Sequence, residues 1–132
     1  MAPGAEIPKP KALLIDDEPA ISGLMQRSLR KTWDVTIASS AASALDLIKV
    51  QPFDVVVCDL MMPEMTGMEF AERLAELNPS LRARTLFLTG GAATVEAETF
   101  LARADVRHLT KPLRMADLDT ALHGMLPTGG SV

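Results

Sequence analysis

Short apolar runs alternate along this chain with stretches of helical periodicity, and that alternation restricts the fold more than any other feature. The runs are Ala12 to Ile15, Val35 to Ala38, Val55 to Cys58 and Thr85 to Thr89, with a more polar fifth from Arg107 to Thr110. Most are continuous rather than alternating, which suits strands buried on both faces of a parallel sheet. Val55-Val56-Val57-Cys58 is the most strand-like, being β-branched and uninterrupted.

The intervening stretches read as helices. Ile21, Leu24, Met25, Ser28 and Leu29 recur at i, i+3, i+4, i+7 and i+8, with Pro19 in the first turn. Ala41, Ala44, Leu45 and Ile48 form the face of a second helix, capped by Ser39 or Ser40 and ended by Gln51-Pro52. A third helix runs from about Gly67 to Leu77, with Phe70, Leu74 and Leu77 inward and Asn78-Pro79 closing it. A fourth spans about Thr94 to Ala104, and Met115, Leu118, Leu122, Met125 and Leu126 mark the last.

Five strands and five helices in strict alternation, joined by short loops, imply βαβ units. The expected fold is α/β, a doubly wound five-stranded parallel sheet of order 2-1-3-4-5. The 132 residues fit one domain. Residues 1–10, with three prolines, read as a flexible arm, residues 11–126 as the domain, and residues 127–132 as a flexible tail.

That scaffold places the polar residues. Asp16 and Asp17 follow the first strand, Asp59 the third, Thr89 ends the fourth and Lys111 follows the fifth. All stand at carboxyl ends of strands, the edge where open α/β sheets bind ligands. In the expected order, strands one and three are neighbours, so the acids should meet. Carboxylates gathered in one site repel, and at least one would have a raised pKa unless a divalent cation relieved the conflict. Oxygen ligands with open water positions suit magnesium. A carboxylate is a competent nucleophile toward phosphorus once charge on the transferred group is neutralised. The Lys111 ammonium and the Thr89 hydroxyl are suited to hold phosphoryl oxygens.

Asp16-Asp17 after an apolar strand, then Asp59-Leu60-Met61-Met62-Pro63-Glu64-Met65-Thr66-Gly67, then Thr89, then Lys111-Pro112, resembles the receiver domain of two-component response regulators over about residues 11 to 126. The resemblance implies a flavodoxin-like (βα)5 fold with Asp59 as phosphoacceptor, taking its group from a histidine kinase or histidine phosphotransfer protein. It implies magnesium as cofactor, held by Asp17, by Asp16 partly through water, by Asp59 and by the backbone carbonyl of Met61. It gives Thr89 and Lys111 the phosphoryl oxygens, makes Lys111-Pro112 a frequent cis peptide, and makes Thr89 and His108 the switch positions. Leu88-Thr89-Gly90-Gly91 and Lys111-Pro112-Leu113-Arg114 look similar to receivers attached to hybrid histidine kinases. Three positions depart from the family pattern. His108 replaces the usual switch aromatic, and Met61 and Gly91 occupy positions that tune phosphate lifetime. Neither can activate a hydrolytic water, so slow self-dephosphorylation is expected.

Blander roles are expected elsewhere. Cys58, the only cysteine, reads as a small buried hydrophobe, and no disulfide within the chain is possible. Glu18 reads as a helix first-turn acid, His108 as a half-exposed strand residue and His123 as a favourable charge near a helix end. Met62 reads as core. Arg82, Arg84, Arg103, Arg107 and Arg114 read as scattered solvated charges. A net charge of −4 argues against bulk binding to nucleic acid or anionic membrane. No run approaches the roughly 18 apolar residues of a membrane helix, and a cytoplasmic location is the default. A monomer or phosphorylation-dependent dimer is expected.

Three other readings meet obstacles in the residues. An Asp-nucleophile phosphatase needs a second acid where Met61 stands. A flavin carrier needs a hydroxyl-rich phosphate loop after the first strand, and the chain has no Tyr and one Trp. A degenerate receiver used only for docking would not need the full set of site residues.

Overall fold

The computed structural model describes residues 8–91 and 94–126. Its elements run β1 (Lys11–Ile15), α1 (Pro19–Leu29), β2 (Asp34–Ala38), α2 (Ala41–Val50), β3 (Val55–Asp59), α3 (Gly67–Leu77), α4 (Pro79–Arg82), β4 (Thr85–Thr89), α5 (Val95–Leu101), β5 (Arg107–Thr110) and α6 (Met115–Gly124). All strand pairings are parallel and the order is β2-β1-β3-β4-β5, as expected.

Successive side chains along each strand point to opposite faces, and the core divides accordingly. Leu13, Ile15, Val56, Cys58 and Phe87 face Phe70, Leu74 and Phe100, which α3 and α5 supply. Ala12, Leu14, Val57, Leu86 and Leu88 face Met25, Leu29, Leu118 and Leu122 from α1 and α6. Each large apolar side chain so buried stabilises the fold by about 1.5–3 kcal/mol. This two-sided burial explains why the central runs are continuous rather than alternating.

Local signals set the helix starts. Pro19 opens α1, and the Ser40 and Thr94 hydroxyls accept the backbone N–H groups of Ser43 and Ala97. Among the described residues there are six helices rather than five. Asn78-Pro79 ends α3 and also starts α4, because the Asn78 side chain accepts the Leu81 N–H and Pro79 fits the first turn. α5 is shorter than the expected Thr94 to Ala104. Beyond Leu101 the chain turns, and Arg103 reaches Asp105 through two hydrogen bonds of 3.0 and 2.7 Å.

Two expected inward leucines face water. Leu24 is 54% exposed because the buried stripe of α1 is Ser22, Met25 and Leu29. Leu77, the last residue of α3, is 42% exposed. Arg82 also corrects the reading of the arginines as solvated. It is buried, lies 5.5 Å over the Phe87 ring, donates to the Asp105 carbonyl at 3.4 Å and stands 3.6 Å from the Asp105 carboxylate. Burial lowers its pKa from the usual guanidinium value. Phe87 meets Phe100 edge-on at 5.0 Å, and Arg103 covers Phe100 at 5.5 Å.

At the opposite corner, the buried Trp33 indole N–H donates to Asp119 on α6 at 2.8 Å. His123, in the last turn of α6, packs against Trp33 with ring centroids 4.6 Å apart. Of the expected arm, Pro8, Lys9 and Pro10 are described. Lys9 donates to the Arg30 carbonyl at 2.7 Å and Pro10 accepts the Asp34 N–H at 2.9 Å. Residues 1–7 and the expected tail at 127–132 lie outside the described residues. Among the described residues, no helix is long and apolar enough to cross a membrane.

Candidate functional site

Parallel pairing brings the carboxyl ends of β1, β3, β4 and β5 to one edge of the sheet. Ile15 pairs with Cys58, Asp59 with Leu88, and Thr89 with Thr110. Asp16 and Asp17 leave β1 beside Asp59. One carboxylate oxygen from each of the three lies within 4.8 Å of the others.

The three acids differ in environment. Asp17 is exposed, whereas Asp16 and Asp59 are 2% and 6% exposed. Asp16 Oδ1 accepts the Glu18 N–H at 2.8 Å. Among the described residues, its buried Oδ2 has no hydrogen-bond partner. Burial raises the Asp16 pKa above the usual carboxylate value, and the Asp59 charge pushes it the same way. A buried, unpartnered carboxylate oxygen among like charges is costly. An oxygen-seeking divalent cation would remove that cost, so the residues present fit one.

Across the site, the Lys111 ammonium donates to Asp59 Oδ2 at 3.1 Å, and the Met61 N–H donates to Oδ1 at 3.3 Å. Thr89 is 2% exposed. Its hydroxyl oxygen accepts the Gly91 N–H at 3.1 Å, which leaves its own hydrogen to donate. The Lys111 N–H donates to the Thr89 carbonyl at 2.7 Å, tying the ends of β4 and β5 together. The Lys111-Pro112 peptide is cis.

The structure thus brings Asp16, Asp17, Asp59, Met61, Thr89 and Lys111 to one edge. Glu18 stands outside the cluster as the N-cap residue of α1, one position before the first turn. His108 is exposed on β5, in register with Phe87. Met62 is core, Met65 and Met68 are partly buried, and Met61 is 43% exposed. Cys58 is wholly buried behind Asp59. Burial and the Asp59 charge hold its thiol pKa well above the ordinary value, which keeps it unreactive.

One residue at the site carries a role that the sequence reading did not assign. Gly67 opens α3 directly behind Asp59, and its N–H donates to the Leu60 carbonyl at 2.8 Å. The available signal was the Thr66-x-x-Glu69 capping box, which puts a helix start against the end of β3.

Residues 12–123 match the family described as response regulator receiver domain. The response regulator receiver protein CpdR of Brucella abortus is 32% identical over 117 residues, covering 88% of this chain and 96% of that protein. The transcriptional regulatory protein TrcR of Mycobacterium tuberculosis is 35% identical over 118 residues, but this chain spans only 45% of its length. Among solved structures, a response regulator receiver domain protein from Clostridium thermocellum superposes with a TM-score of 0.78 at 26% identity, covering 88% of this chain and 93% of that one. The chemotaxis protein CheY4 of Vibrio cholerae does so with a TM-score of 0.78 at 26% identity, covering 90% and 100%.

Proposed function

This chain belongs to the response regulator receiver family, and from that premise we propose that Asp59 accepts a phosphoryl group from a phosphohistidine on a histidine kinase or histidine phosphotransfer protein. The observation that carries the reading is the convergence of Asp16, Asp17 and Asp59 with Lys111, which stands 3.1 Å from the Asp59 carboxylate.

In the transfer, an Asp59 carboxylate oxygen attacks phosphorus as the P–N bond to the donor imidazole breaks. The imidazole leaves with the bonding electron pair, and Asp59 becomes an acyl phosphate. Lys111, already beside Asp59, neutralises one phosphoryl oxygen. The Thr89 hydroxyl donates to another. Asp16, Asp17, Asp59 and the Met61 carbonyl would hold magnesium, which when bound offsets negative charge on the phosphoryl group.

Phosphorylation adds about −1.5 to −2 charges at Asp59. Thr89 and Lys111 are drawn to the new oxygens, and their shared backbone hydrogen bond makes the ends of β4 and β5 move together. The face of α5, β5 and α6, which carries His108, then shifts between two populations. The chain acts as a cytoplasmic signalling domain that catalyses only its own phosphorylation and dephosphorylation. It works as a monomer or a phosphorylation-dependent dimer, without direct contact to nucleic acid or membrane.

Acetyl phosphate with magnesium should add one phosphoryl group, read by intact mass. Asp59→Asn should remain unmodified, and a chelator should abolish uptake. Uptake by Asp59→Asn equal to wild type would refute the assignment. Beryllofluoride with magnesium should move NMR resonances on α5 and β5, and unchanged spectra there would refute the switch.

A further inference from the structure

We propose that Gly67 is a positioning residue for the acidic site, setting the turn from Asp59 to Met61 by letting the first turn of α3 close on its backbone. The activity arm of this proposal rests on the reading of Asp59 as phosphoryl acceptor. The structural arm does not.

A Cβ at position 67 would lie 2.9 Å from the Asp59 carbonyl oxygen, 2.9 Å from Leu60 Cα and 3.3 Å from the Leu60 carbonyl oxygen. These are backbone atoms at a fully buried strand end, not the tips of flexible side chains. A side chain there has to push α3 or the strand end aside. The strand end is held on both sides. The Leu60 N–H donates to the Leu88 carbonyl of β4 at 2.9 Å, and the Leu60 carbonyl accepts the Gly67 N–H at 2.8 Å.

The α3 side is equally constrained. The Thr66 hydroxyl accepts the Glu69 N–H at 3.2 Å, and the Glu69 carboxylate accepts the Thr66 N–H at 3.1 Å. In the loop before α3, the Met65 N–H donates to the Pro63 carbonyl at 2.8 Å across Glu64, which stands in the left-handed region at φ 70°. Displacement caused by a Cβ therefore falls on the Asp59 and Leu60 backbone, and next on Met61, whose N–H reaches Asp59 Oδ1 at 3.3 Å. Gly67 acts on the carboxylate through three successive backbone units and touches no reactant.

The test compares Gly67→Ala with Met25→Ala, a cavity variant in the opposite core layer that lowers the melting temperature without approaching the site. Gly67→Ala should slow phosphorylation by acetyl phosphate about 10- to 100-fold, the penalty of roughly an ångström of misplacement. It should also shift the Asp59 and Met61 amide resonances in the ion-free protein. Met25→Ala should keep the rate within about twofold of wild type after correction for its folded fraction. An unchanged rate and unchanged amide shifts in folded Gly67→Ala would overturn the proposal, as would an equal rate loss in Met25→Ala. If Gly67→Ala does not fold, the double variant Thr66→Val, Glu69→Gln loosens the same turn without a clash. It should shift the same two amides, and their constancy would overturn the proposal. Wild type that takes up no phosphate would remove the functional reading while leaving the amide-shift result to decide the role of Gly67.

Discussion

The Lys111 ammonium lies 3.1 Å from a carboxylate oxygen of Asp59, 52 residues earlier in the chain. Asp59 is almost fully buried and Lys111 partly so, so this contact balances a buried charge. Lys111→Ala should destabilise the ion-free protein by about 1–3 kcal/mol, less than for a fully buried pair because Lys111 is partly solvated. Phosphorylation by acetyl phosphate should fall roughly 100-fold, as when one charge-stabilising donor is removed from a site. Thermal melts and mass-detected uptake measure the two effects separately.

Among the described residues, Asp16 carries a buried oxygen with no hydrogen-bond partner, beside two like charges. Asp16→Asn keeps an acceptor for the Glu18 N–H and removes one negative charge. At neutral pH the ion-free variant should therefore melt higher than wild type. Saturating magnesium should reverse the order, because wild type gains binding free energy that the variant loses. Calorimetric scans with and without magnesium provide the check, and an unchanged order would count against cation binding at Asp16.

Phosphate lifetime follows from the residues beside the acceptor. Met61 offers a thioether and Gly91 no side chain, so neither side chain can orient a water for attack on the acyl phosphate. Phospho-Asp59 should persist for minutes or longer after the donor is removed. Intact mass over time reads the decay, and loss within seconds would contradict the assignment.

Asp105 holds Arg103 by two hydrogen bonds and faces the buried Arg82 at 3.6 Å. The hydrogen bonds from Arg103 hold the Asp105 pKa below its ordinary value of 3.8. A depressed folded-state value means a contribution to stability that is present above the unfolded value and lost as pH falls through the folded one. Asp105→Asn should melt lower than wild type at neutral pH, and the gap should close as the medium is taken below pH 3.8. Melting curves across that range suffice, and a gap that stayed constant would show that the charge of Asp105 is not what holds Arg82.

Much of the site was legible because its residues are defined locally. Asp59 ends a β-branched run, Asp16 and Asp17 follow another apolar run, Thr89 ends the fourth strand and Lys111 follows the fifth. The double use of Asn78-Pro79 was missed because one cap residue can serve two helices. Leu24 and Leu77 were misread because apolar spacing does not say which residues of a stripe the sheet covers. Arg82 was misread because a cation is buried only when distant groups, here Phe87 and Asp105, surround it.

The sequence by itself determined the order of the elements, the parallel sheet and the edge at which the acids gather, since periodicity, caps and strand-end positions are properties of neighbouring residues. The tertiary structure alone decided which Asp16 oxygen is buried without a partner among the described residues, that Lys111 reaches Asp59, and that Gly67 leaves no room for a side chain behind it. Those outcomes depend on distances between elements far apart in the chain, which close packing sets and local pattern does not carry.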